Sequence, residues 1–326
     1  MTAQTLVGSE IRHTIGAKGR FVLRVPSGDV RITGTDSADV VVRERNGRDL
    51  ADRFDIAARE GYLELVARQR FGITISIDNH VWGRGTSDLD VEVPARAAVI
   101  VHSASAEVVT TGLVGDKEFR TASGDLVFDA CAGELDLDAV SGDVRVDAAG
   151  VLDLHGKTIS GDLKVRAPRL SRLDVATTSG DIWLDGELAG GGPFSIKSIS
   201  GDVRLVSRGS FQVEAQSITG DLDSEVAHRR ESFPGKKVLQ IGRSGPTLAF
   251  KSVSGDFHVV EAREEQVKDA MTDIDFTDRA DDSEPTTGSP ASDPHDGERL
   301  EILRELERGE IDVDAATRRL AALGEA

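Results

Sequence analysis

Cysteine is almost missing from this chain. One thiol, Cys131, in 326 residues excludes an intramolecular disulfide framework and a cysteine-built zinc cluster. Its neighbourhood, Phe128-Asp129-Ala130-Cys131-Ala132-Gly133, reads as a strand end and turn, where a small packed residue is expected rather than a reactive thiol. Aromatic residues are scarce as well, at 4%, so the interior must be filled by stacked aliphatic side chains. No run approaches ~18 consecutive apolar residues, which excludes a transmembrane helix. Met1 to Gly19 shows no apolar signal core, and the expected setting is cytoplasmic. A basic stripe is also absent. The formal net charge of −18 argues against nucleic acid and against an anionic membrane surface.

What the chain has in excess is glycine, 34 residues, and much of it falls in one recurring tripeptide followed by an apolar residue. It occurs as Ser123-Gly124-Asp125, Ser141-Gly142-Asp143, Ser160-Gly161-Asp162, Ser179-Gly180-Asp181, Ser200-Gly201-Asp202, Thr219-Gly220-Asp221 and Ser254-Gly255-Asp256, with an early copy at Ser27-Gly28-Asp29. From 123 to 219 successive starts differ by 18, 19, 19, 21 and 19 residues. A short fixed period of this kind is the signature of stacked repeats.

Aligned on the serine, the copies form columns. The residue after Asp is apolar in every one, as is the residue two further on in Phe128, Val146, Val165, Leu184 and Leu205. The positions between vary freely, which is the alternation of a strand with one buried face. A second strand precedes the tripeptide, with apolar columns four residues before Ser (Phe119, Leu137, Val175, Ile196, Phe250) and six before it (Leu135, Leu154, Leu173, Phe194, Val213, Leu248). Glycine then permits a positive φ or a close approach at the corner. Ser and Asp can satisfy backbone N–H groups that the corner leaves unpaired. The fold expected is an all-β single-chain β-solenoid, whose coils of about 19 residues make two or three strands each at ~3.3 Å per residue. Ser105-Ala106-Glu107 reads as a degenerate corner, 18 residues upstream of Ser123.

Four segments are expected. Residues 1–95 are a β-rich start, with short alternating runs such as Phe21-Val22-Leu23-Arg24-Val25, and 96–260 are the repeats proper. Between Thr219 and Ser254 the spacing widens to 35 residues, one coil plus an inserted loop at 225–245. That loop carries Arg229, Arg230, Phe233, Lys236 and Lys237 and is a candidate contact site, although a solvated excursion is the blander reading. Residues 261–298 are dense in acid with Pro285, Pro290 and Pro294, the composition of a disordered linker. Residues 299–326 form an expected helical hairpin. Leu303 and Leu306 lie on one helix and Leu320 on the other, a pair too small to stand alone and suited to pairing with itself or with a partner.

The repeats, together with Pro26-Ser27-Gly28-Asp29-Val30-Arg31-Ile32-Thr33-Gly34 and Lys251-Ser252-Val253-Ser254-Gly255-Asp256-Phe257, resemble the β-strand-repeat family labelled "putative adhesin", domain of unknown function 4097. The resemblance covers roughly residues 21–260. The tail Leu303-Arg304-Glu305-Leu306-Glu307-Arg308-Gly309 is similar to a short helical oligomerisation segment appended to such proteins. The resemblance implies a β-solenoid and, in some Gram-positive relatives, a link to cell-envelope stress. It implies no reaction.

Chemistry finds little footing. The seven histidines are scattered without metal-ligand spacing, and no nucleophile elbow, phosphate loop or dinucleotide fingerprint occurs. A ladder of aspartates from Asp125 to Asp221 raises calcium, but corner capping is the favoured role and no cofactor is expected. The expected function is a non-enzymatic scaffold that binds a protein, or itself through the C-terminal helices. The alternative is a carbohydrate-binding or carbohydrate-active protein that uses a solenoid face.

Overall fold

Residues 4–68, 75–77, 80–82 and 86–262 are described by a computed structural model. The expected linker and helical tail, with Leu303, Leu306 and Leu320, fall outside these residues.

The described chain is nearly all β, with one short helix at Leu50–Arg53 capped by Asp49. Its strands join into one long open sheet of 21 strands, and a separate small hairpin pairs Ile75–Ile77 with His80–Trp82. Most of the sheet is parallel and advances one repeat per step. Leu126 pairs with Val144, Val144 with Leu163, Leu163 with Ile182 and Ile182 with Val203. The strand before each corner keeps the same register, from Phe119 on Leu137 to Val175 on Ile196. Each coil therefore buries its apolar columns only by lying on its neighbours. The columns four and six before Ser, and those after Asp, join one hydrophobic cluster. Phe119 meets Phe128 edge-on at 4.8 Å across that cluster.

One position in an apolar column breaks the rule. Lys117 stands six before Ser123, in register with Leu135, and is 2% exposed. Its Nζ donates to the carbonyls of Gly115 and Ala132, so the buried ammonium is held by backbone oxygens.

The stack extends in both directions beyond the regular repeats. Arg20–Thr35 pairs with Ala98–Thr111, with Ser27 opposite Ser105, Gly28 opposite Ala106 and Asp29 opposite Glu107. Beyond Arg20–Thr35 lie Tyr62–Ala67 and Leu89–Pro94, which come later in sequence but sit further out in space. Antiparallel strands Phe54–Arg59 and Asp39–Glu44 then close this end.

The other end is inverted in the same way. The coil at Thr247–Ser252 and Phe257–Val260 does not stack last. It lies between Phe194–Lys197 with Val203–Val206 on one side and Phe211–Ser217 with Leu222–Ser224 on the other. The segment expected as an inserted loop at 225–245 is a β-hairpin, His228–Phe233 with Lys236–Ile241. Its second strand runs antiparallel on the outer edge of Phe211–Ser217 and buries Leu239 and Ile241. Antiparallel strands thus cover the parallel edge of Phe211–Ser217 at this end and those of Tyr62–Ala67 and Leu89–Pro94 at the other, which removes there the ready template that an open edge presents.

The corner explains why glycine recurs. A Cβ at Gly180 would lie 1.8 Å from the Gly161 carbonyl oxygen, and one at Gly201 would lie 1.9 Å from that of Gly180. Backbone passes over backbone there, with no room for a methyl group. Gly180→Ala should cost about 1–3 kcal/mol in a urea melt, the usual range for overpacking. Gly191→Ala, with nothing within 4 Å, should stay within about 0.5 kcal/mol of the parent.

Candidate functional site

The repeated polar residues are bound to one another. The Oδ1 of each corner aspartate accepts a hydrogen bond from the backbone N–H of the aspartate one coil further along. Asp143 donates to Asp125 at 2.8 Å, Asp162 to Asp143 at 2.8 Å, Asp181 to Asp162 at 3.0 Å and Asp202 to Asp181 at 2.9 Å. The ladder then follows the spatial order of coils rather than the sequence. Asp256 donates to Asp202 at 2.9 Å and Asp221 to Asp256 at 2.7 Å. The serines reach backwards as well, with Ser141 Oγ donating to the Ala122 carbonyl and Ser200 Oγ to that of Thr178. At the first end the same kind of bond recurs on Asp88, whose Oδ1 accepts from the Asp29 N–H at 3.2 Å. Burial pushes the Asp88 carboxyl up, but the bonds from Asn46 and Asp29 together with the charges of Arg45 and Arg48 hold it below the usual carboxylate range.

Because Asp221 is the last rung, its carboxylate has no further aspartate N–H to accept. Lys237 of the hairpin takes that place at 2.9 Å and also donates to the Gly220 carbonyl at 3.1 Å. Its hydrogen bond and charge hold the Asp221 carboxyl below the ordinary range. Arg230 donates to the Leu222 carbonyl and to Asp223 Oδ1, and Lys236 pairs with Glu214 at 2.7 Å. The basic cluster therefore divides. Arg230, Lys236 and Lys237 bind the chain's own groups. Arg229 and Phe233 (54% exposed) point from an edge strand that is exposed along its whole length.

A second surface feature escaped the sequence reading. The residue before the corner Ser or Thr is a β-branched aliphatic in five of the seven copies from 123 to 254 and makes an apolar ridge along the outside of the corner, interrupted at Thr178 and starting from Ala122. Val140 is 47% exposed and Ile218 75%, with Ile159, Ile199 and Val253 half-buried between them. Coil-to-coil hydrogen bonds join the ridge, as in Ser160 N–H to the Val140 carbonyl and Ser254 N–H to that of Ile199. Column −1 of the alignment carried this signal, since Val140, Ile159, Ile199, Ile218 and Val253 are all β-branched. Near the hairpin, a cleft of about 690 Å³ is lined by Arg204, Asp223, Glu225, His228, Arg230 and His258.

The described histidines make local contacts. His13 bonds the Arg59 carbonyl, His102 faces Glu118 at 3.5 Å, His155 faces Asp174 at 3.4 Å, and His228 bonds the Val226 carbonyl. Burial pushes His102 down. Among the described residues no group of three or more His, Cys, Asp or Glu is placed to hold a metal ion. Glu118 and Asp136 are carboxylates in register on adjacent coils. Burial raises the Asp136 carboxyl, while Glu118 is tied to Arg120 at 3.2 Å. Cys131 is wholly buried, and burial pushes its thiol up to about 11.

Among the described residues no helix is long and apolar enough to cross a membrane. A family model described as Toastrack DUF4097 matches residues 19–260. No curated protein matches the chain. Among solved structures it is similar to a "putative adhesin" from Bacteroides fragilis, at 10% identity, with 79% of this chain and 98% of that one covered and a TM-score of 0.35. A "putative cell adhesion protein" from Clostridium sporogenes shares 10% identity over 80% and 99% of the two chains, with a TM-score of 0.24. A "putative lipid binding protein" from Parabacteroides distasonis shares 10% over 78% and 96%, with a TM-score of 0.25.

Lys237→Met should raise the Asp221 pKa towards the ordinary carboxylate value, as read by NMR titration. A depressed carboxyl stabilises the fold above the ordinary carboxylate range, and that contribution vanishes as pH falls through the lowered value. Hydrogen-exchange protection factors in 228–241, taken relative to the intrinsic rate at each pH, should therefore fall in acid for the parent and already be lower at neutral pH in the variant. Cys131 should resist alkylation by a maleimide in the folded protein at neutral pH and react on unfolding in urea.

Proposed function

The chain belongs to the Toastrack DUF4097 family, and from that membership we propose that it is a non-enzymatic scaffold that binds a protein partner along its corner ridge and capping hairpin. The observation that carries this reading is the separation of used from unused groups. The Ser, Gly and Asp of the repeat are consumed in coil-to-coil contacts, as are most of the hairpin's cations. Val140 and Ile218 of the ridge, with Phe233 and Arg229 of the hairpin, are exposed. Aligned β-branched side chains on a rigid support lose little conformational entropy when covered, and an exposed aromatic beside an arginine suits the centre of a protein interface.

In this reading 1–260 is the binding body, 261–298 a spacer and 299–326 a self-association segment, with Leu303, Leu306 and Leu320 at its contact. Several copies on one partner surface would then bind with avidity. A glycan is the weaker ligand, because Trp183 has no aromatic neighbour in its outward column of Lys164 and Arg204.

An Ile218→Asp, Phe233→Ala double variant of the full chain should keep its melting temperature and lose partners in a pull-down from native cells. Retention of every captured protein would overturn the ridge as the interface. Removal of residues 300–326 should lower the mass read by light scattering, and an unchanged mass would remove the tail from the proposal.

A further inference from the structure

The coil at residues 247–260 occupies a slot, and we propose that the slot accepts the same coil from a second copy of this chain, so that two copies exchange it reciprocally. The inverted order at this end carries the inference. In sequence the coil follows both of its neighbours and the capping hairpin, yet in space it separates Phe194–Lys197 from Phe211–Ser217 and Val203–Val206 from Leu222–Ser224.

Everything that holds the coil lies in those neighbours. Leu248, Phe250, Phe257 and Val259 are at most 1% exposed. Asp256 donates to Asp202 on one side and accepts from Asp221 on the other. Ser254 N–H bonds the Ile199 carbonyl, and Thr219 N–H bonds that of Val253. Its own two strands run along one coil, and each pairs with the coils on either side instead of with the other. A copy of the coil from another chain would make the identical set.

Continuity with its own body runs through one hinge, Gly242-Arg243-Ser244-Gly245-Pro246, of which the first four residues are exposed. Exchange of an identical element through such a hinge changes only the hinge, which makes it a low-cost route to a dimer. Gly220 presents to Gly255 the same backbone approach that Gly255 presents to Gly201, at 2.1 and 2.2 Å for an added Cβ. The coil of Phe211–Ser217 could therefore stack directly on that of Phe194–Lys197 in sequence order, which would close the slot and leave 247–260 unplaced, so exchange requires these two coils to part.

The test uses two full-length variants, Lys197→Cys and Lys251→Cys. These positions are exposed and in register on adjacent parallel strands, where Cα spacing of ~4.8 Å falls within disulfide reach. The variants are mixed, taken briefly through partly denaturing urea, diluted and oxidised, and the cross-links are mapped by mass spectrometry. Exchange predicts an intermolecular 197–251 disulfide several-fold above 197–197 or 251–251 links. The Lys197→Cys, Lys251→Cys double variant in one chain should close internally and, once closed, give no exchange. If the double variant closes while the mixture yields only collision-level links, exchange is overturned. If the double variant fails to close, the slot itself is overturned. Pairing through residues 299–326 would leave 197 and 251 together within each chain and yield no mixed link, so that route is told apart.

Discussion

Backbone at a sharp corner loses its ladder partners, and a stack of coils must satisfy that loss once per repeat. Here the need is met by a carboxylate one coil away, whose Oδ1 takes the N–H that the corner exposes. The rest follows from that bond. The acceptor must sit on a short side chain, because adjacent coils are only ~4.8 Å apart. The preceding residue must be glycine wherever the next corner crosses it closely, as at Gly161, Gly180 and Gly201. Once those two are fixed, the apolar residues on either side fall at constant distances from the corner and face one interior. A hydrogen bond donated to an ionised acceptor is stronger than a neutral one, which helps to offset the repulsion of carboxylates stacked in a row.

Much of this was legible in the sequence. The period, the inward columns, the degenerate corner at Ser105-Ala106-Glu107 and the backbone-capping role of Asp were all visible as residue types at fixed spacing. The order of the final coils was not, for a physical reason. Every coil offers its neighbour the same Gly-Asp edge, so the columns define register without defining succession. Val213 and Ala215 fit beside Leu248 and Phe250 as well as any other pair in the list of repeats. The opening corner was hidden because Thr86-Ser87-Asp88 lacks the glycine. The hairpin had a signal that went unused: Pro234-Gly235 between two runs of strand length is a turn signature. Lys117 was equally plain as a charge in a leucine column, but its carbonyl partners come from residues the alignment does not compare.

Charge is distributed by segment and by pairing. Residues 261–326 hold 20 of the 57 acidic residues and 8 of the 39 basic ones, so they carry −12 of the net −18. In the β body opposite charges meet on the outward faces, as in Arg166 with Asp147 and Arg43 with both Glu10 and Glu92. Individually such exposed pairs stabilise little.

The inversion at each end bears on how such a chain can change length. A rung added after the last one would meet an antiparallel strand whose hydrogen bonds do not match, and a rung added before the first would meet the same barrier. Duplication is tolerated only in the interior, where any Ser-Gly-Asp unit finds two equivalent faces. The termini of the stack therefore behave as fixed fittings and the middle as the adjustable part, so descendants of different reach would share their ends and differ in their centre.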